Sequence, residues 1–179
     1  GDEEAVAKMI EKFASDRGCY CLRDGRNNVF VRVPATAGRE HEGAILLQGH
    51  TDMVCEKNSG VEHDFMRDGL ELYVEDGWLH ARGTTLGGDD GAAVAMMLAV
   101  IDGCVATHPT VECLFTTDEE VGLLGAGSFD YSVITAKKMI NLDSEEENAV
   151  TAGCAGGVRS DLVVPVKMQE ARGEALDIS

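Results

Sequence analysis

Residues Ala44-Ile45-Leu46-Leu47-Gln48-Gly49-His50-Thr51-Asp52 decide the fold of this chain. The apolar run 44–47 is short and continuous, without the alternation of a half-buried strand, and such a run suits a strand buried on both faces. Strands of that kind lie in sheets covered by helices, and this one runs out into ionisable residues, where open α/β sheets bind their ligands.

The pattern holds on both sides of this strand. Upstream, Val6, Met9, Ile10 and Phe13 recur at helical spacing behind a candidate N-cap at Asp2, and Gly18 stops the helix. Residues 19–22 and 29–33 read as two strands joined through Asp24-Gly25-Arg26-Asn27-Asn28, followed by a loop over 34–43. Downstream, segments 70–74 and 78–81 flank the turn Glu75-Asp76-Gly77, and the glycine-rich stretch 83–91 feeds an apolar helix over 92–101 that Gly103 ends. A strand at 111–116, a short helix near 121–126, a strand at 138–142 and extended segments at 149–152 and 158–166 follow. Strands alternating with helices predict an α/β layered domain with a mostly parallel sheet. After the hinge-like Gly153-Cys154-Ala155-Gly156-Gly157, the final segment reads as the start of a second domain.

Composition removes several function classes. Fifteen Lys and Arg against 32 Asp and Glu leave a net charge of −17 over 179 residues, so nucleic acid and anionic membranes are poor partners. No stretch reaches the roughly 18 apolar residues of a membrane span. The opening Gly1-Asp2-Glu3-Glu4 is acidic where a signal peptide is basic, which predicts a cytoplasmic protein. The six cysteines are scattered and contain no C-x-x-C pair, so reduced thiols are expected and a zinc-thiolate site is not.

Four clusters stand at or just past predicted strand ends: His50-Thr51-Asp52, Gly88-Asp89-Asp90-Gly91, Asp118-Glu119-Glu120 and Asp143-Ser144-Glu145-Glu146-Glu147. Each alone has a bland reading: an exposed turn, a helix cap at Asp89, or a solvated acidic tip at Glu145, Glu146 and Glu147. Together they are harder to dismiss, because like charges converging on one rim repel unless a cation joins them. Imidazole suits zinc and needs a partner on its other nitrogen, a role Asp52 can fill for His50. Adjacent Glu119 and Glu120 diverge on an extended chain, so one can bind a metal while the other handles a water proton. Asp143 adds a hard oxygen donor.

Those residues carry a resemblance. His50-Thr51-Asp52-Met53-Val54, Arg82-Gly83-Thr84-Thr85-Leu86-Gly87-Gly88-Asp89, Thr117-Asp118-Glu119-Glu120-Val121-Gly122 and Asn141-Leu142-Asp143-Ser144-Glu145-Glu146-Glu147, with Gly153-Cys154-Ala155-Gly156-Gly157, resemble the di-zinc exopeptidases, and among them the dipeptidases that cleave Xaa-His. The resemblance implies a three-layer αβα catalytic domain with a mostly parallel central sheet, cut before most of a lid domain. Residues 1–156 would be the catalytic part and 157–179 the beginning of the lid, through which a homodimer would form. It implies two Zn2+, with Co2+ or Mn2+ as substitutes, and a small peptide such as β-Ala-His as substrate. Asp89 would bridge the two ions, with His50 and Asp143 on one and Glu120 on the other. Asp52 would steady His50, Glu119 would be the general base, and the peptide after Asp89 would be cis. The second ion's histidine would lie beyond the chain, since His41, His63, His80 and His108 match no ligand motif and are expected at the surface. On this reading the chain is an N-terminal piece with weak or no activity of its own. Asp90 receives no role. The runner-up on the same scaffold is an N-acyl-amino-acid deacylase or metallocarboxypeptidase; from another class, a non-catalytic acidic module that binds a cation or a basic partner.

Overall fold

Val29, Val31 and Val33 leave one face of a strand and Phe30 and Arg32 the other, because successive side chains alternate, and this alternation sorts the core into two clusters. The computed structural model describes residues 3–144, 148–153 and 160–167. The chain divides into two units, Gly1–Glu145 and Glu146–Ser179.

The first unit begins with helix α1 (Glu4–Ser15), whose residues Ala7, Ile10 and Ala14 form a buried stripe. Val6 and Phe13 flank that stripe as expected, whereas Met9 is exposed, one position off the apolar face. The N-cap expected at Asp2 lies outside the described residues, and Glu3 occupies the cap position with no capping bond from its side chain to the helix. Strands β1 (Tyr20–Arg23), β2 (Val29–Val33) and β3 (Ile45–His50) follow, then a separate hairpin of β4 (Leu72–Glu75) and β5 (Trp78–Ala81). Asp76 and Gly77 turn this hairpin at φ 51° and 84°, the left-handed pair that a two-residue hairpin turn requires. Helix α2 (Gly88–Ile101), strand β6 (Val111–Thr116), the short helix α3 (Leu124–Ser128), a 3-10 turn (Tyr131–Val133) and strand β7 (Lys138–Asn141) complete the unit.

The main sheet runs β1-β2-β6-β3-β7. It is mixed. β1 and β2 pair antiparallel with each other and β2 with β6, while β3 runs parallel to both β6 and β7. The parallel half carries the site, since three strand C-termini meet on one edge only where strands point the same way.

On one face α1 and α2 pack over Val29, Val31, Val33, Val111, Cys113 and Phe115, joined by Met97 and Ile101. Each large apolar side chain fully buried there contributes about 1.5–3 kcal/mol. The opposite face is thinner: Phe30, Leu46 and Leu114 are covered by Phe129 and by Val133, Ile134 and Ala136 around the 3-10 turn. The five described cysteines are free thiols, as expected, and Cys154 lies outside the described residues. Among the described residues no helix is long and apolar enough to cross a membrane.

In the second unit, residues 148–153 and 160–167 form neither helix nor strand. The strand expected over 158–166 is therefore not formed across 160–166, and 158–159 lie outside the described residues. A strand needs a neighbour to take its backbone groups, and no described strand pairs with this segment.

Candidate metal centre

His50 is the last residue of β3 and only 1% exposed. Its ring is held from behind: Nδ1 lies 2.9 Å from the Asp52 carbonyl oxygen and 3.4 Å from Asp52 Oδ1. A carbonyl only accepts, so Nδ1 carries the proton and Nε2 presents its lone pair. That lone pair faces Asp89 Oδ1 at 2.9 Å and Asp143 Oδ2 at 3.8 Å. A lone pair set among carboxylate oxygens calls for a cation between them, either a proton or a metal.

The candidate ligands lie near one another in two groups. His50, Asp89 and Glu120 place one donor atom each within 4.8 Å of one another, and so do His50, Asp90 and Asp143. Both triads share the histidine, and together they contain all four expected ligands. One nitrogen among hard oxygens fits zinc, cobalt or manganese better than calcium, which takes oxygen alone.

Asp52 does more than steady the imidazole. The half-buried Asp52 carboxylate accepts the backbone N–H of Glu119 at 3.0 Å and of Glu120 at 3.1 Å. Asp118, at φ 52°, takes the left-handed conformation that Asp tolerates, and there the chain turns sharply out of β6 into the two glutamates. Glu119 is half-buried and Glu120 exposed. That asymmetry suits the division of labour read from the sequence.

Burial raises the Glu119 carboxyl; His50 acts against the rise, and Asp143, Glu120 and Asp52 add to it, leaving it above its ordinary value. For His50, burial disfavours the cation, but the Asp89 hydrogen bond and the charges of Asp52, Asp90 and Asp143 outweigh it and raise the imidazole.

The Asp89-Asp90 peptide is cis, as the resemblance implied. Both residues lie outside helical dihedrals, so the regular part of α2 starts at Gly91. Capping falls to Asp90, not Asp89. Asp90 is buried; its Oδ1 accepts the Ala93 N–H at 3.3 Å and its Oδ2 the His50 N–H at 3.1 Å. Burial raises its carboxyl, against the two N–H groups and with help from Asp143. Asp89 is left 63% exposed with its carboxylate toward the histidine.

Three residues escaped the sequence reading. Asp90 was marked only by its doubled acid between glycines. Glu112, fully buried on β6, was marked only by a charge inside an apolar strand. Asn28 had no signal at all, yet its side chain donates to Asp24 and the Gly125 carbonyl and accepts the Thr117 N–H, tying the β1–β2 turn to the loop that carries Glu119. The other histidines need correction. Only His41 is exposed; His63 and His80 are half-buried against Phe65 and Tyr73, and His108 is buried beside the Pro109 carbonyl. Ring edges and faces recruit them into local packing.

Two clefts adjoin the centre. One, of about 250 Å³, is lined by Gln48, Thr116, Glu119, Leu123, Tyr131 and Met139 among others. The other, of about 720 Å³, includes Asp52, Met53, Phe65, Met66, Asp118 and Glu120.

The profile of peptidase family M20/M25/M40 matches residues 46–157. The chain is 42% identical over 156 residues to the cytosol non-specific dipeptidase of Escherichia coli, covering 87% of this chain and 32% of that protein. Among solved structures, aminoacylhistidine dipeptidase from Vibrio alginolyticus superposes with a TM-score of 0.76 at 40% identity, over 81% of this chain and 30% of that one. Aminopeptidase PepT from Bacillus cereus gives 0.63 at 28% identity, over 79% and 38%. The chain thus spans about a third of the length of the relatives it matches.

Proposed function

Because the chain belongs to peptidase family M20/M25/M40, we propose that it is the N-terminal, metal-holding part of a dipeptidase that cleaves short peptides with a free amino terminus, Xaa-His dipeptides such as β-Ala-His among them. The observation that carries this reading is the pair of donor triads sharing His50 beside a half-buried Glu119. Two divalent ions, zinc first and cobalt or manganese as substitutes, would be held by His50, Asp89, Asp143 and Glu120. When bound, such ions acidify a water and polarise the scissile carbonyl.

The chain's own residues supply the rest. Glu119, its carboxyl raised by burial, takes the proton of the attacking water on its carboxylate and returns it to the leaving amine. Asp52 fixes the backbone of Glu119 and Glu120, so that the base and its neighbour keep their places relative to His50. The acidic rim favours a substrate with a protonated α-amino group. The presence of His50 among the oxygens argues against a purely structural calcium module.

On the same reading, residues 1–156 are the catalytic part and 157–179 open the lid domain of a longer, cytoplasmic, homodimeric enzyme. The cytosol in the name of the Escherichia coli relative supports that location.

The test uses the complete enzyme. Glu119→Gln should keep the bound metal and lose about 10²–10⁴-fold in kcat, and β-Ala-His should be hydrolysed in preference to N-blocked dipeptides. Near-wild-type turnover of the variant with both ions bound would sink the assignment of Glu119, and preference for blocked substrates would instead mark a deacylase.

A further inference from the structure

Strand β7 carries Asp143 just past its end, yet little in its own sequence holds it in place. It is four residues long, pairs only with β3 among the described residues, and is exposed on both faces, including Met139 and Ile140. A strand so weakly packed is prone to slip in register, and a slip of one residue turns every side chain to the opposite face. Such a slip would carry Asp143 away from His50.

Two devices oppose it. At the far end, Asn141 Nδ2 donates to Gln48 Oε1 at 2.7 Å, Gln48 Nε2 donates to Thr116 Oγ1 at 3.2 Å, and the Leu142 N–H donates to the Gln48 carbonyl at 2.9 Å. At the near end stands Glu112, level with Leu46 and Met139 across the sheet and about 13 Å of strand from His50. Its carboxylate accepts Thr135 N at 3.0 Å, Thr135 Oγ1 at 2.8 Å and Ala136 N at 3.0 Å, which fixes the chain two residues before β7. Arg32 completes the clamp, with Nε and Nη2 at 3.0 and 2.9 Å from Glu112 Oε1 and Nη2 donating to the Val133 carbonyl at 2.6 Å.

We propose that Glu112 is a positioning residue for the metal centre: through Thr135 and Ala136 it sets the register of β7 and thereby the place of Asp143. A fully buried carboxylate facing five donor groups ties the segment before β7 to β2 and β6. The proposal rests on the reading of Asp143 as a ligand.

The test is titration of the complete enzyme with Co2+, followed by visible absorption and calorimetry, for the wild type, Asp143→Ala, Glu112→Gln and the double variant. Glu112→Gln should weaken Co2+ binding about 10–100-fold and shift the spectrum as Asp143→Ala does, and the double variant should lose no more than Asp143→Ala alone. Thr135→Val, which removes one hydroxyl, should give a smaller loss in the same direction and serves where Glu112→Gln folds poorly. Val31→Ala, on the other face of the sheet, should lower stability and leave Co2+ binding unchanged. Wild-type Co2+ binding by a folded but less stable Glu112→Gln would overturn the inference, as would an equal loss in Val31→Ala. Unchanged binding by Asp143→Ala, or no Co2+ spectrum from the wild type, would overturn the ligand reading and the inference with it.

Discussion

Gly49→Ala separates a glycine kept for close approach from one that is merely tolerated. A Cβ at position 49 would lie 2.5 Å from Asp90 Oδ2 and 2.6 Å from Ala93 Cβ, where about 3.5–4.0 Å is a normal contact. Strand β3 and helix α2 must therefore part by about 1 Å or repack, an overpacking cost of about 1–3 kcal/mol. The same Oδ2 accepts the buried His50 N–H, and leaving that donor unpaired adds about 1–3 kcal/mol. The sum, about 2–6 kcal/mol, corresponds to a fall in Tm of roughly 5–20 °C for a chain of this size. Gly91→Ala is the control. Outside its chain neighbours and its own helix backbone, no atom lies within 4 Å of a Cβ there, and replacing a helix glycine by alanine gains about 0.5–1 kcal/mol. Thermal unfolding followed by circular dichroism should move the two variants in opposite directions, and only Gly49→Ala should weaken Co2+ binding. A Gly49→Ala protein with wild-type Tm and metal affinity would refute the close packing of β3 on α2 and the anchoring of His50 by Asp90.

Glu112 gives the pH dependence. Burial alone would raise its carboxyl, but Ala136, Thr135 and Arg32 together hold it below the ordinary range, so its stabilisation is complete above the unfolded value of about 4.3 and fades as pH falls through the lower folded value. The stability gap between wild type and Glu112→Gln should thus shrink below about pH 4.3 in chemical denaturation; a gap that widens there would contradict the network. Zn2+ at about 100 times its Kd should stabilise the wild type by about 2.7 kcal/mol, read calorimetrically with and without chelator, and His50→Ala should abolish the gain. For the thiols, exposed Cys55 and Cys104 should react first with a disulfide reagent, while Cys113, pushed up to about 12 by burial, should react only on unfolding. Peptide mapping that finds Cys113 modified in the native protein would refute its place in the core.

What the sequence disclosed follows from how locally each feature is encoded. The strands at 29–33 and 111–116 were legible to the residue because their apolar runs are bounded by turns. The rim was legible because the candidate ligands His50, Glu120 and Asp143 sit at or just past strand ends, where a polar residue after an apolar run stands out. The clamp around Glu112 was not, since Arg32 and Thr135 lie far from it in sequence and only the pairing of β2 with β6 brings them together. Asp90 was hidden for a different reason. Two adjacent acids look equivalent until the backbone points one to solvent and the other into the helix start. The antiparallel arm of the sheet was half visible: the β1–β2 hairpin was read, but its attachment to β6 depends on strand order, which periodicity does not encode.

The lone ladder of β7 also bears on how the protein behaves in concentrated solution. Its outer edge has no described partner, and Met139 and Ile140 add apolar surface to that edge, which makes it a template for a strand from another molecule. The excess of 17 negative charges keeps such molecules apart by mutual repulsion. High salt screens that repulsion, and acidification reduces the charge itself while also weakening buried carboxylate contacts such as those of Glu112. Storage at neutral pH and low ionic strength therefore guards the edge that the described residues leave open.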